Sequence, residues 1–386
     1  MTARFDKLGL IVALWIACSI ALSPFATFRA NRIVQGEPRS ILEALPQPLG
    51  YALVVLLVAV AAMALFRTPI PIRLAASLAA LLALSVFIGL AATHLTPPDN
   101  SYARVSPASG FWQLSFAFAL LTADSVTRLR PSPPLRVAVL LAVAVAIGGI
   151  LVSGSWNGLS VLKEYASRAE TFWNEAATHL TLALGSLLAA VLVGLPLGVL
   201  CHRVESLRPG VLNVLNIIQT IPSIALFGLL IAPLGWIALT IPGASAIGIR
   251  GIGAAPAFLA LFLYSLLPVV SNTVLGLRNV PRDANEAARG IGMTDTQRLF
   301  TIEFPLALPV ILTGIRIVLV QNIGLATIAA LIGGGGFGVF VFQGIGQTAM
   351  DLVLLGAVPT VALAFAAAVV FDAIIEMTTP ARGRTA

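Results

Sequence analysis

The sequence predicts an all-α polytopic integral membrane protein of about ten transmembrane helices, and three observations carry that prediction. Hydrophobic residues make up 58% of the 386 and charged residues only 10%, where a soluble domain carries about a quarter charged. Mean hydropathy is +0.98. Apolar runs close to the roughly 20 residues that a spanning helix needs recur along the chain, and the arginines between them alternate in density as the positive-inside rule requires.

The runs fall near 8–28, 50–66, 74–93, 108–125, 136–155, 178–200, 211–234, 255–277, 305–330 and 352–376. The first follows a basic start and is longer than a signal-peptide core of about 7–15 residues, so it reads as an uncleaved span. Residues 162–177 carry Lys163, Glu164, Glu170, Trp173 and Glu175, and read as an interfacial helix. With both termini cytoplasmic, the inner segments hold 15 of the 23 basic residues, Arg4, Arg382 and Arg384 among them, and the outer segments hold 7. Arg316 lies inside the ninth span. It must pair with a carboxylate or with backbone carbonyls there.

A boundary near 155 sets off residues 1–155, an accessory region of five spans joined by short proline-rich turns. An extracytoplasmic interfacial segment is expected at 156–177, a five-helix core at 178–376, and a cytoplasmic tail at 377–386. The core spans are richer in Gly, Asn, Gln and Ser.

The formal charge of +7 does not indicate a nucleic-acid partner, because only two basic residues are lysines and the arginines are scattered between apolar runs. Cys18 and Cys201 show no disulfide or metal spacing. His94, His179 and His202 are isolated, so neither a metal site nor a catalytic constellation is expected. The spans contain no paired aspartates and no Ser–His pattern. This reads as a transport chain rather than an enzyme.

One loop, 279–305, looks built. Pro281 suits a first helical turn, and Asp283 and Glu286 suit its N-terminal half. Gly292 can take a left-handed C-cap. Thr294 with Gln297 makes a capping box for a second helix, which is expected to end before Pro305. Capping chemistry alone would equally describe an ordinary amphipathic loop. However, Glu286-Ala287-Ala288, three residues, Gly292, nine residues, Ile302, one residue and Phe304-Pro305 resembles the EAA loop of ABC importer permeases, with Phe304 in place of the usual Leu.

That resemblance implies a five-helix permease core at 178–376 whose loop 279–305 docks on a separate ABC ATPase subunit. Glu286, Ala287, Ala288, Gly292, Ile302 and Pro305 would make the coupling. A phosphate-binding loop needs Gly-Lys-Ser/Thr, and Lys7 and Lys163 stand in no such setting. No cofactor is therefore expected on this chain, and ATP would be bound by the partner. Gly333–Gly336 reads as a tight extracytoplasmic turn or a re-entrant segment.

Further stretches narrow the resemblance to the glycine betaine/choline/osmoprotectant permeases, in their long form typified by YehY. They are His179–Ser186, Gly194-Leu-Pro-Leu-Gly198, Gln219-Thr-Ile-Pro-Ser through Gly228, Leu263–Pro268 and Gly314-Ile-Arg316 through Gly333. The implied partners are a second permease copy or paralogue and an extracytoplasmic substrate-binding protein, and the implied place is the inner membrane of a bacterium. Gln219, Ser223, Tyr264, Asn272, Gln321 and Asn322 offer a polar, uncharged pore lining. Each can equally bond a neighbouring helix. Two rivals stand beside this reading: an ion-coupled carrier of two inverted five-span repeats, and an importer permease for another small solute such as an amino acid.

Overall fold

Proline and glycine decide where the helices of this chain begin, break and touch. The structure, a computed structural model, describes residues 6–32, 34–100 and 102–379. Arg4, Arg382, Arg384 and tail residues 380–386 lie outside the described residues. Contacts divide the chain into two compact units on either side of Ser167 and Arg168.

The first unit runs α1 (Lys7–Leu22), β1 (Ala26–Arg29), β2 (Glu37–Arg39), α2 (Ile41–Ala44), α3 (Gln47–Leu65), α4 (Ile70–Leu95), β3 (Arg104–Pro107), α5 (Ser109–Leu129), α6 (Pro133–Val152) and α7 (Ser160–Ser167). Prolines stand in the first turns of α3, α4 and α6, where a missing N–H costs nothing. The apolar run expected at 8–28 is helical only to Leu22. Ser23 is extended ahead of Pro24, as a residue before proline must be, and Ala26–Arg29 become a strand. This small antiparallel sheet, in the order β2-β1-β3, was not expected. Pro38 and Pro107 sit on its two edge strands, where a lost donor is tolerated.

The core of this unit joins Val12 and Ile16 of α1, Leu53 and Leu57 of α3, Leu84 and Ile88 of α4, and Phe118 and Leu121 of α5. None of the residues of α6 is buried. Asp6 caps α1 through the N–H groups of Leu8 and Gly9, and its other oxygen meets buried Arg73 of α4 at 2.7 Å. Burial works against the Asp6 charge, but hydrogen bonds from Arg73 and Gly9 outweigh it and hold the carboxyl below its ordinary value. The stabilisation is present above the ordinary carboxylate range and fades as pH falls through the lowered value.

The second unit runs α8 (Ala169–Arg203), α9 (Arg208–Thr220), α10 (Ser223–Leu229), α11 (Ile231–Thr240), α12 (Ala254–Arg278), α13 (Arg282–Gly290), α14 (Asp295–Arg298), a π-turn (Leu299–Glu303), α15 (Phe304–Leu325), a 3-10 turn (Ile328–Ile332), α16 (Gly338–Gly346) and α17 (Met350–Thr378). Residues 169–177, expected in an interfacial segment, are instead the first turns of α8. Nothing in Ala169–Ala177 breaks a helix, and an apolar-run criterion does not see polar turns. The run expected as one span at 211–234 is three helices, broken at Ile221–Pro222 and again at Leu230.

Among the described residues, eight helical segments are long and apolar enough to cross a membrane, with α10 and α11 counted as one (Ser223–Thr240) and α14 to α15 as one (Asp295–Leu325). α1 and α5, which occupy the first and fourth expected spans, fall short on length or composition. Helices α8, α12 and α15 pack closely because small residues line their seams. A Cβ at Gly194 or Gly198 of α8 would stand 2.8 Å from Val269 or 2.6 Å from Thr273 of α12. At Gly314 of α15, a Cβ would stand 2.7 Å from Asn272 Cβ.

Gly198→Leu should therefore lower the thermal midpoint of the purified protein in detergent, through an overpacking cost of about 1–3 kcal/mol. Gly228→Ala, where nothing lies within 4 Å, should leave the midpoint unchanged or raise it.

Candidate functional site

The break at Ile221–Pro222 lines a shallow, surface-open cavity of about 330 Å³. Ile221 precedes a proline and is extended, so α9 stops, and Pro222 leads into α10. The exposed ends of this break are tied to α12. Tyr264 donates its hydroxyl hydrogen to the Ile221 carbonyl, and Gln219 Nε2 donates to the Tyr264 carbonyl at 2.8 Å. Gln219, Thr220, Ile221, Pro222, Ser223, Tyr264, Gln321 and Leu325 line the space. No charged side chain is among them.

Of the six lining candidates from the sequence, the structure brings Gln219, Ser223, Tyr264 and Gln321 together here. Asn322 is turned away. It is fully buried and bonds Ser186 Oγ at 3.0 Å and Ser265 Oγ at 2.9 Å, joining α8, α12 and α15. Asn272 donates to the Pro268 carbonyl of its own helix at 2.8 Å and packs on Gly314. Thr220, Ile221, Pro222 and Leu325 line the cavity without having been singled out. A proline in the middle of an apolar run was the available signal. Arg316 finds its carboxylate in Asp372 of α17, at 2.9 Å.

The glycine turn after the 3-10 helix has positive φ at Gly333, Gly335 and Gly336. It is held to α8, where Gly336 N–H donates to Glu175 Oε2 at 2.6 Å and Phe337 N–H to His179 Nδ1 at 3.3 Å. This end of α8 lies 28 residues from Arg203, about 42 Å along the helix, and Arg203 meets loop 279–305.

Loop 279–305 joins α12 to α15. Pro281 is the N-cap of α13, and Glu286 and Ala287 are exposed on that helix while Ala288 is buried. Ile291 and Met293 close the turn by donating to the Ala287 and Ala288 carbonyls. Gly292 sits at φ 80° with open space where a Cβ would lie, so its requirement is conformational. The Thr294–Gln297 capping box forms. Ile291 is 75% and Phe300 67% exposed, which places two large apolar side chains on the surface of a loop otherwise rich in charge.

The second loop helix does not end before Pro305. Phe304 N–H donates to the Leu299 carbonyl, one residue farther than in an α-helix, and this wider π-turn carries the chain into α15 with Pro305 in its first turn. Ile302 is half-buried within the π-turn. Beneath the loop lie Arg298 and Glu303, each 3% exposed. Arg298 is among the 15 basic residues of the inner segments, and Glu303 carried no expectation from the sequence. Their spacing of five residues signals nothing on an α-helix.

Comparison with known proteins places both units. Residues 6–162 match the family described as the N-terminal domain of ABC transporter permease YehY, and residues 190–383 match the binding-protein-dependent transport system inner membrane component family. Osmoprotectant import permease protein OsmW of Salmonella typhimurium is 47% identical over 46% of this chain and 78% of its own length. Choline transport system permease protein OpuBB of Bacillus subtilis is 39% identical over 48% of this chain and 78% of its own. Glycine betaine/carnitine/choline transport system permease protein OpuCB of the same organism is 36% identical over 52% and 83%. The chain, with its broken-helix cavity and its helix–glycine–helix loop, belongs to the binding-protein-dependent transport system inner membrane component family of ABC transporter permeases.

Proposed function

We propose that this chain is the transmembrane subunit of an ATP-driven importer for a quaternary-ammonium osmoprotectant such as glycine betaine or choline. The observation that carries the reading is loop 279–305. It offers an exposed Glu286-Ala287 face on α13, a left-handed turn at Gly292, and bare Ile291 and Phe300. Small side chains let a partner helix approach closely, and exposed apolar side chains reward its docking. The partner is a separate ABC ATPase subunit in the cytoplasm.

The names of the relatives support the choice of cargo, and the cavity suits it. A lining of amides, hydroxyls and apolar groups without a fixed charge neither repels nor traps a cation or zwitterion. Import requires weak binding of that kind. Ile317 and Gly324 are exposed on the same stripe of α15 as Gln321, leaving a face for a second permease copy or paralogue. An extracytoplasmic binding protein would deliver cargo at the opposite end of α8, near the glycine turn.

Gly292→Val should leave membrane insertion intact, because no neighbour is struck, yet abolish co-purification of the ATPase. Uptake into cells should then fall by about tenfold or more. Unchanged uptake would remove the coupling assignment. Gln321→Leu should keep the ATPase bound but lower glycine betaine uptake at limiting cargo by about two- to tenfold, the worth of one neutral hydrogen bond. Uptake equal to that of the unaltered chain would take Gln321 off the cargo path.

A further inference from the structure

Four charged side chains meet where α8, α14 and α15 come together. Arg298 donates from Nε to Glu303 Oε1 at 3.0 Å and from Nη2 to Asp295 Oδ1 at 2.7 Å. Arg203, the last residue of α8, donates from Nη2 to the other Glu303 oxygen, also at 3.0 Å, and reaches the Asp295 carbonyl at 3.4 Å. Each oxygen of Glu303 therefore holds a guanidinium from a different element. Two cations and two carboxylates balance.

The π-turn is what allows this. On an α-helix, residues five apart point about 140° away from one another. The i→i+5 winding over Leu299–Glu303 stacks Glu303 over Arg298 instead. Pro305 contributes no N–H to close the turn conventionally. Stability does not explain the arrangement, because apolar replacements of a buried ion group commonly hold a fold as well or better. Charges of this kind can instead fix the register between packed elements.

We propose that Glu303 is the joint that transmits movement of loop 279–305 to the membrane helices. Through Arg298 and Asp295 it grips α14 beside Gly292, and through Arg203 it grips the end of α8. Its own backbone runs directly into α15, which carries Gln321 and Leu325 of the cavity. Glu303 and Arg203 are positioning residues, and neither touches cargo. This inference rests on the assignment of the loop as the ATPase dock.

The test uses the full chain with its ATPase subunit in lipid nanodiscs. Cys18 and Cys201 are replaced by Ser and Ala, and Ser223→Cys in the cavity wall reports through its rate of labelling by a soluble maleimide. ATP with vanadate should change that rate by about fivefold or more when Arg203 and Glu303 are present. In Arg203→Ala and in Glu303→Gln the change should shrink to less than about twofold, with the ATPase still bound and hydrolysing ATP. Should Glu303→Gln misfold, Arg203→Ala decides alone, since it leaves Asp295, Arg298 and Glu303 bonded to one another. A full nucleotide response in the variants would overturn the joint. So would loss of ATPase binding in them, which would make these residues part of the dock. A chain with both residues intact that binds no ATPase would instead overturn the proposed function itself.

Discussion

Inside a bilayer no water is at hand for a free peptide N–H or C=O, so every such group must find its partner in the protein. A continuous helix meets that demand unaided. At two places where this chain departs from a continuous helix, side chains from a neighbouring helix take over backbone groups left open. Tyr264 takes the Ile221 carbonyl at the cavity. Glu175 and His179 take two successive N–H groups at the glycine turn. The π-turn solves the same problem by reaching one residue farther within its own strand of helix.

These repairs need helices that lie close enough to reach one another. Gly194, Gly198 and Gly314 bring α8, α12 and α15 together at distances that a larger residue would forbid. Asn322 then spans the gap with bonds to both neighbours. The trio is thus held by shape and by a few buried polar bonds, since lipid offers no hydrophobic drive for helices to associate. Around that trio lie the elements proposed to serve transport: a broken helix on one flank, and a charged loop at one end.

Much of the fold was legible because lipid imposes composition directly. Each of the ten apolar runs holds helix, though the first gives way to a strand and the seventh is broken into three. Their ends were less legible, because a run of apolar residues does not record where a helix stops, as Ala26–Phe28 and Ile221 show. The sheet was hidden for another reason: strands of three or four residues leave no periodic trace. In the loop, Gly292 and the Thr294–Gln297 box could be read because capping is local chemistry. The ion group could not, because Arg203 lies 100 residues from Glu303 and the π-turn shifts the register between them. Gln321 and Asn322 make the same point. They are adjacent and similar in chemistry, yet helix phase sends one to the cavity and the other into the core.

Helix α6 stands apart from all of this. It runs 20 residues without fully burying one of them, so close packing constrains its side chains less than those of the core helices. Most of its amino acids answer chiefly to the oiliness of their surroundings and to the proline start. The order of Val, Leu, Ala and Ile along it is then nearly arbitrary. Over evolutionary time such a segment can be rewritten almost freely while its composition stays the same, and kinship would fade there first.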